Sequence, residues 1–252
     1  KSIGVGIIGF ADLFSRYRPD VLVVMGDRFE MLCAAVAAQP FGIPVAHIHG
    51  GESTEGAIDE SFRHSITKMS HIHFATTEKY RKRIAQLGEN PENVHNCGAP
   101  GLDNLLGFEK PSFGSLQKKI GVSLESPPFI VTYHPETIDI SNNKKNLITL
   151  INCLKNLHSP AVFTASNADT TGRMLNEIIQ EQCEKIDHFY FIQNLGVEKY
   201  YELLSHAKAM IGNSSSGVIE AASFQLPVIN LGTRQKGREH GVNVVHSSCT
   251  EP

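Results

Sequence analysis

The stretch VLVVMG, residues 21–26, decides the fold of this chain. It is a continuous apolar run without the alternation of a half-exposed strand, so it predicts a parallel strand covered by helices on both faces. The apolar spacing of residues 3–16 predicts a helix before it, which ends ahead of Pro19. The alternation then continues, with helices predicted over 31–42 and 59–69 and strands over 43–51 and 71–77. Such alternation is typical of a parallel sheet.

A second series of alternating elements comes after a polar, proline-bearing segment at 109–128, which we interpret as a hinge. Strands are predicted over 128–135, 160–169, 188–196 and 209–217, with helices over 142–157, 171–186 and 197–207, a helix beginning at 217, and a last strand over 226–235. We therefore predict an α/β protein with two Rossmann-like parallel-sheet lobes, 1–108 and 129–252, facing each other across a cleft. The first lobe has only three or four predicted strands where about five or six are usual, so we expect it to be incomplete.

Composition narrows the classes of function. The 252 residues carry a formal net charge of -3, which leaves no basic field for nucleic acid or for an anionic membrane. There is no apolar run of about 18 residues and no signal-peptide pattern. The five cysteines are widely spaced and form no C-x-x-C pair, which is typical of reduced thiols. We expect a cytoplasmic enzyme that binds neither nucleic acid nor membrane.

The first candidate site is Gly26-Asp27-Arg28, at the carboxyl end of a predicted strand, where open α/β sheets place their ligands. Asp27 is a candidate acid or base, and capping of the next helix is the alternative role. Arg28 is a candidate for bracing a phosphate or a neighbouring carboxylate.

The second candidate site comes after the next strand, in the stretch His47-Ile48-His49-Gly50-Gly51-Glu52. Because successive parallel strands end at one edge, Asp27, Glu52 and Asp59 are expected to converge there, which would separate their pKa values into an acid and a base. The histidines of this stretch are expected to be packed or hydrogen-bonded, or alternatively His49, nearest the glycines, faces the same cleft and donates to the substrate. The pairs His47/His49 and His71/His73 lack a third ligand at fixed spacing, so we predict no metal site.

The third candidate site is the turn Gly212-Asn213-Ser214-Ser215, where small residues let backbone N–H groups approach a diphosphate. Glu220 lies beyond it in the predicted helix and can accept from ribose hydroxyls, or can simply face solvent. His134 and Asn167 end two further strands on the cleft edge of the second lobe. Arg234 belongs to the basic stretch 232–239 at the end of the last predicted strand, which is expected beside the diphosphate or can be a solvated loop.

Six motifs in this order resemble the hydrolysing UDP-N-acetylglucosamine 2-epimerases of sialic-acid-type pathways: GDRFE, HGGE with a later Asp-Glu and Arg-His, YHPET, SNAD, GNSSSGVIEA and GTRQKGRE. The resemblance implies the GT-B architecture, with UDP held mainly by the C-terminal lobe. It further implies that the nucleotide is held by Ser214, Ser215, Glu220, Arg234 and His134.

The resemblance also implies the chemistry. Loss of the C2 proton and elimination of UDP give a 2-acetamidoglucal, and addition of water yields the free 2-epimer, with no cofactor. Asp27, Glu52 and Asp59 match the acidic positions of the family, and Asp27 is our first choice as an essential group. Some relatives carry a glutamate at the position of His49, so we expect His49 to share the acid–base work. A homodimer, or a dimer of dimers, is also implied.

Several alternatives stay open. UDP-N,N'-diacetylbacillosamine, used for legionaminic acid, is an alternative substrate to UDP-N-acetylglucosamine, and a non-hydrolysing 2-epimerase ranks lower. A GT-B glycosyltransferase and a catalytically silent nucleotide-sugar-binding protein are the alternatives from other classes.

Overall fold

The computed structural model describes residues 1–55, 59–136, 140–166 and 170–249. The chain divides into two compact units, Lys1–Asp103 and Asn104–Pro252, which we call unit 1 and unit 2. This division lies close to the predicted end of the first lobe at residue 108. Among the described residues, no helix combines the length and the apolar character that crossing a bilayer requires.

Unit 1 is a parallel four-stranded sheet in the order β1-β2-β3-β4. Its strands are β1 (Leu22–Met25), β2 (Val45–Ile48), β3 (Ile72–Ala75) and β4 (Val94–Asn96), and its helices are α1 (Ser2–Arg16), α2 (Phe29–Ala38), α3 (Asp59–Lys68) and α4 (Glu78–Gln86). The predicted helices and strands of this region are therefore present. The expected cover of β1 on both faces is wrong among the described residues, because Val24 is buried whereas Val23 and Met25, on the opposite face, are 57% and 52% exposed. Its main core packs Phe14 of α1 and the alanines of α2 against Val24, Val45 and Ile66.

Unit 2 contains six strands and five helices among its described residues. The strands are β5 (Phe129–Thr132), β6 (Ala161–Thr164), β7 (Phe189–Ile192), β8 (Ala209–Gly212), β9 (Val228–Leu231) and β10 (Val244–Ser247). The helices are α5 (Phe113–Ile120), α6 (Asn143–Asn156), α7 (Thr170–Lys185), α8 (Gly196–His206) and the short α9 (Ser216–Ile219).

The strand order of unit 2 locates its ligand crevice. The sheet is entirely parallel in the order β10-β9-β8-β5-β6-β7. This is the order of the dinucleotide-binding Rossmann fold, in which the direction of winding reverses between the first and the fourth strand. Here those strands are β5 and β8, so the crevice lies beyond Thr132 and Gly212.

Both faces of this sheet are covered, as its uninterrupted apolar strands predict. Val131 of β5 packs with residues of α6 and α7, including Leu147 and Leu175. Its neighbour Ile130 points to the other face and packs with Leu116 of α5 and Leu203 of α8. Alternate residues of one strand therefore belong to two separate cores.

Three details differ from the sequence-based expectations. The stretch 226–235 is not the last strand, because Val244–Ser247 forms β10, which pairs with β9 in parallel. The segment 109–128 contains the helix α5, whose Leu116 is buried in unit 2; its role as a hinge stays a prediction. The helix expected from 217 is only one turn long, so Glu220 lies between α9 and a 3-10 turn instead of inside a helix.

Candidate functional site

A buried arginine organises the strand ends of unit 1. Arg63 of α3 is 1% exposed, and its Nη2 donates to Oδ2 of Asp27, which lies in the turn after β1. Its Nη1 donates to the backbone oxygen of Glu52 at 3.1 Å, and its Nη2 also reaches Oγ1 of Thr54 at 3.0 Å. One guanidinium thus ties the ends of β1 and β2 together. The contact to Glu52 is to its backbone oxygen, so the convergence of the Asp27, Glu52 and Asp59 carboxylates stays a prediction.

His49 and Glu52 form a second polar pair beside it. Nδ1 of His49 lies 2.6 Å from Oε1 of Glu52, which also accepts from Oγ1 of Thr76 at 3.1 Å. Glu52 is only 3% exposed, whereas the His49 side chain is 19% exposed. Because the carboxylate holds a proton on Nδ1, Nε2 is the ring atom able to exchange a proton with a ligand.

The backbone of His49 is unusual, since its φ of 66° lies in the left-handed region. Non-glycine residues in that region store about 1–3 kcal/mol of strain and concentrate at functional sites. Gly51, two residues later, also has a positive φ of 74°, and a Cβ there would lie 2.5 Å from the backbone oxygen of Tyr80. The turn after β2 therefore requires glycine at 51 and holds His49 outside the strand.

His47 has a structural role instead. Its side chain is fully buried, with Nε2 donating to the backbone oxygen of Gly26 at 2.8 Å and Nδ1 lying 3.2 Å from Oγ1 of Thr67. Burial lowers the pKa of this imidazole to about 4. His47 is therefore a neutral link between β2 and the turn after β1. Among the described residues, no group of three or more His, Cys, Asp or Glu side chains is arranged to hold a metal ion.

The acidic start of α3 contributes Glu60. Its carboxylate accepts from the backbone N–H of Thr54, from Oγ of Ser53 at 2.8 Å and from Nη1 of Arg63 at 3.2 Å. Burial raises the pKa of Glu60. The hydrogen bonds from Thr54 and Ser53 and the charge of Arg63 together lower it by more, so the net shift of the pKa is downward. The predicted residue Asp59 is the first residue of α3, directly before Glu60. The sequence motif includes Glu60 and Arg63, as Asp-Glu and Arg-His, but neither was given a role in the site.

Arg28 is placed differently from its neighbour Asp27. Its side chain is 64% exposed and forms two hydrogen bonds to Glu30, at 2.9 and 3.1 Å. The ion pair with Arg28 lowers the pKa of Glu30. Arg28 therefore stands on the surface of unit 1, paired within its own turn.

In unit 2 a buried amide occupies the crevice between β5 and β8. Asn213 is 0% exposed, and its Oδ1 accepts from the backbone N–H of His134 at 2.7 Å while its Nδ2 donates to the His134 carbonyl at 2.8 Å. Its own backbone oxygen accepts from Nη1 of Arg234 at 3.1 Å and from Nε2 of Gln235 at 2.7 Å. The ends of β5, β8 and β9 are therefore tied to one residue.

This close approach explains the glycine before Asn213. Gly212 has a φ of 137°, and a Cβ at that position would lie 1.9 Å from the backbone oxygen of Thr132. Any side chain would push β5 and β8 apart. The glycine of the motif GNSSSG is thus required by the packing of two strands.

Glu136 fixes the loop that carries Arg234. This residue is 6% exposed, and its carboxylate accepts from the backbone N–H of Thr233 at 2.8 Å and from Thr233 Oγ1 at 3.1 Å. The sequence motif YHPET contains Glu136 but gives it no role. The position of Glu136 shortly after a strand end was the available sign of a site residue. Its partner Thr233 lies 97 residues away, so the sequence did not indicate the contact.

His134, at the same crevice, is held as a neutral imidazole. Burial and the charge of Arg234 lower its pKa to about 3. It can therefore donate or accept a hydrogen bond at neutral pH without adding charge beside an anion.

The serine turn contributes both side chains and backbone. Oγ of Ser214 accepts from the backbone N–H of Ser216 at 3.3 Å, and Ser215 stands directly before α9. Oγ of Ser216 accepts from the hydroxyl of Tyr200 at 2.7 Å. Burial raises the pKa of Tyr200, which keeps this phenol protonated. The predicted site residue Asn167 lies outside the described residues.

These features define the class of protein. Each unit is a parallel α/β sheet whose polar side chains gather at the carboxyl ends of the strands, and unit 2 has the Rossmann order with an anion-compatible, glycine- and serine-rich turn at its switch point. A profile of the UDP-N-acetylglucosamine 2-epimerase family matches residues 1–251. The chain belongs to this family, which confirms the resemblance stated from its motifs.

Characterised relatives extend this result. The chain is 42% identical over 253 residues to a "GDP/UDP-N,N'-diacetylbacillosamine 2-epimerase (hydrolyzing)" of Campylobacter jejuni, in a match that covers 100% of this chain and 66% of that protein. It is 40% identical over 247 residues to "Polysialic acid biosynthesis protein P7" of Escherichia coli, covering 97% of this chain and 62% of that protein. The chain thus spans slightly less than two thirds of the length of these relatives.

Solved structures support the fold class. The UDP-GlcNAc 2-epimerase of Methanocaldococcus jannaschii in complex with UDP-GlcNAc and UDP superposes with a TM-score of 0.80 at 19% identity, over 98% of this chain and 70% of that one. The Neisseria meningitidis UDP-GlcNAc 2-epimerase bound to UDP-GlcNAc gives a TM-score of 0.75 at 19% identity, over 93% of this chain and 65% of that one. The predicted α/β class with parallel-sheet lobes is confirmed.

Proposed function

We propose that this chain carries the activity of a hydrolysing 2-epimerase that acts on a UDP-linked N-acetylated amino sugar, with UDP-N-acetylglucosamine as the first candidate. The observation that carries the proposal is the turn after β2, where a buried Glu52 holds His49 at 2.6 Å. A carboxylate–imidazole pair of this kind is suited to general acid–base catalysis. Membership of the epimerase family supplies the reaction class in which such a proton is lost from C2.

In the proposed reaction, a base in unit 1 removes the C2 proton, and the electron pair forms the C1–C2 double bond as the C1–O bond to UDP breaks. UDP and a 2-acetamidoglucal result. Water then adds its hydroxyl at C1 while C2 receives a proton on the opposite face, which yields the free 2-epimer. Asp27 and His49 are our candidates for the two proton transfers, with Glu52 and Arg63 orienting them and Asp59 as a further acidic group.

The nucleotide is assigned to unit 2. Support comes from the crevice between β5 and β8, where Asn213, Ser214, Ser215 and Arg234 surround a switch point. Arg234 offers charge-assisted hydrogen bonds to the diphosphate. Glu220 is proposed for the ribose hydroxyls and His134 for a neutral contact, while Asn167 and Arg28 stay candidate substrate contacts.

A second substrate is favoured by a specific observation. Two of the similar relatives, from Campylobacter jejuni at 42% identity and from Legionella pneumophila at 37%, are named as hydrolysing 2-epimerases of N,N'-diacetylbacillosamine nucleotides. We therefore propose UDP-N,N'-diacetylbacillosamine as the alternative substrate. Assembly as a homodimer or a dimer of dimers, and a cytoplasmic location, are part of the same proposal.

Proton NMR in deuterated water tests these assignments on the natural polypeptide that carries these residues. Release of UDP with an N-acetylmannosamine that carries deuterium at C2 is the expected result with UDP-N-acetylglucosamine. UDP-N-acetylmannosamine as product would show a non-hydrolysing epimerase instead. Turnover of the diacetamido substrate alone would select the alternative, and inertness toward both would contradict the proposal and leave a transferase or a binding protein.

A further inference from the structure

Two imidazoles meet outside the crevice of unit 2. His240 lies in the connection from β9 to β10, and His246 lies within β10. Their Nε2 atoms are 3.0 Å apart. Both side chains are exposed, and neither belongs to the groups discussed for the proposed reaction.

The other nitrogen of each ring is already engaged. Nδ1 of His240 lies 3.0 Å from the backbone oxygen of Gly241, so this nitrogen carries the proton and Nε2 presents its lone pair. Nδ1 of His246 lies 3.0 Å from the side-chain amide of Asn230, which is 1% exposed. Polar partners on the outer nitrogen are the arrangement that orients metal-binding histidines, because they fix the tautomer and the ring plane. The amide of Asn230 can serve in this way once it turns its oxygen toward Nδ1.

The distances suit one ion between the rings. Two imidazoles bound at about 2.0–2.1 Å in adjacent positions of an octahedral or square-planar ion have nitrogens about 3 Å apart. The ring centroids are 4.8 Å apart. Two rings pointing straight at each other through these nitrogens would have centroids farther apart, so the two rings meet at an angle. In the present arrangement the amide nitrogen of Asn230 faces Nδ1 of His246, so Nε2 of His246 carries the proton and donates to Nε2 of His240. Once the amide turns and that proton moves to Nδ1, a small rotation of the two exposed side chains brings both lone pairs onto a shared ion.

We propose that His240 and His246 form a binding site for one divalent transition-metal ion of the Ni²⁺, Cu²⁺ or Zn²⁺ class, with water completing its coordination. This site is independent of the proposed epimerase activity. An ion there would bridge the connection that begins with Gly232 and carries Arg234 to the edge strand β10. The expected consequence is a more stable end of unit 2, because an ion that binds only the folded state stabilises it.

Sequence spacing alone did not reveal this pair. Histidines six positions apart match no common metal motif. Only the fold, in which β10 pairs with β9, brings the two imidazoles together. In that pairing His246 lies opposite Asn230, which is why one amide orients the ring.

Isothermal titration calorimetry with Ni²⁺ tests the proposal on the natural polypeptide that carries these residues, prepared without a histidine tag. We expect saturable binding of one ion per chain at pH 7.5, at least about tenfold weaker in His240→Gln and in His246→Gln. The matched control is His95→Gln, which removes an exposed imidazole from β4 and should bind as the unsubstituted chain does.

Nitrogen NMR of the imidazole rings provides a second readout that does not depend on the variants. Addition of Zn²⁺ should shift Nε2 of His240 and His246 and raise the thermal midpoint, and both effects should be lost in the two glutamine variants. No binding, equal binding in all variants, or shifts confined to other histidines would overturn the proposal.

Discussion

The strand ends of unit 1 and unit 2 are organised by opposite means. In unit 1 a buried cation, Arg63, gathers the carboxylates of Asp27 and Glu60 around the ends of β1 and β2. In unit 2 a buried neutral amide, Asn213, ties β5 to β8, and the nearby imidazole of His134 is also neutral. Carboxylates held by a cation suit acid–base chemistry, whereas a neutral frame with one arginine suits an anionic ligand. The difference fits the proposed roles, proton chemistry for unit 1 and nucleotide binding for unit 2.

The substitution with the largest expected effect on this contrast between the units is Asp27→Asn. If unit 1 carries the proton chemistry, turnover of the UDP-sugar should fall by about 10²–10⁴-fold, the range for loss of an acid–base group. UDP affinity should change little, because the nucleotide is assigned to unit 2. Steady-state kinetics and UDP titration measure the two effects, with exposed Asp20→Asn as the control. Parallel losses in both measurements would argue against the division.

Removing the central cation should have the largest effect on folding. Arg63→Met leaves Asp27 and Glu60 without their shared partner, and loss of one member of a buried ion pair costs about 3–5 kcal/mol. Chemical denaturation monitored by circular dichroism measures the free energy of unfolding. Arg81→Met is the matched control, because Arg81 pairs with Glu78 on the exposed surface of α4 and should have no measurable influence. A small effect of Arg63→Met would mean that the carboxylates do not need it.

The neutral His47 gives unit 1 a dependence on pH. Its pKa is about 4 in the folded chain and about 6.5 when unfolded. Between these values the unfolded state binds the extra proton, so stability declines as the pH falls through this window, by up to about 3 kcal/mol. Denaturation curves from pH 7 to pH 4 should show this decline, and His47→Gln should remove its share and leave the part that comes from His134. An unchanged slope in the variant would assign the dependence to other groups, and His95→Gln serves as the reference.

The amide of unit 2 is tested by Asn213→Asp. The new carboxylate still accepts from the His134 N–H but cannot donate to the His134 carbonyl, which should cost about 1–3 kcal/mol. The added negative charge should also weaken UDP binding. Asn194→Asp is the control, because its exposed side chain only accepts, from Gly196. Retention of UDP affinity in Asn213→Asp would separate this residue from the nucleotide.

The smallest change is expected for Arg28→Gln. The Arg28–Glu30 pair is exposed, so stability should change by no more than about 0.5 kcal/mol. A raised KM for the UDP-sugar with unchanged unfolding would then identify Arg28 as a substrate contact. An unchanged KM would leave it as a surface pair.

The alternation of apolar runs predicted most of the fold, because buried strands and amphipathic helices differ in period. VLVVM and the helix of residues 3–16 are examples, and both are present. The short β10 was missed because Val244–Ser247 has one buried residue and lies at the sheet edge. Three of its side chains are exposed because the strand lies at the edge of the sheet, and the pattern of apolar residues does not show which strand is at an edge.

The candidate site was predictable where a residue comes just after a strand end, as for Asp27, His49 and Asn213. It was not predictable where function depends on a partner far along the chain. Arg63 was visible as a helical residue, but only the fold brings it to Asp27, 36 positions away. Glu136 and Thr233, 97 positions apart, are a second such pair.

The Asn213 amide has a further consequence for the sheet. Thr132 and Gly212 are the last paired residues of β5 and β8, and the side chain of Asn213 then meets the N–H and the carbonyl of His134 as a neighbouring strand would. The side chain of Asn213 thus makes the two hydrogen bonds that a further backbone pair would make, beyond the point where β5 and β8 stop pairing. New ligand loops grafted onto this fold should therefore keep residues 134 and 213, which hold the two strand ends together, and vary only the loop residues beyond them.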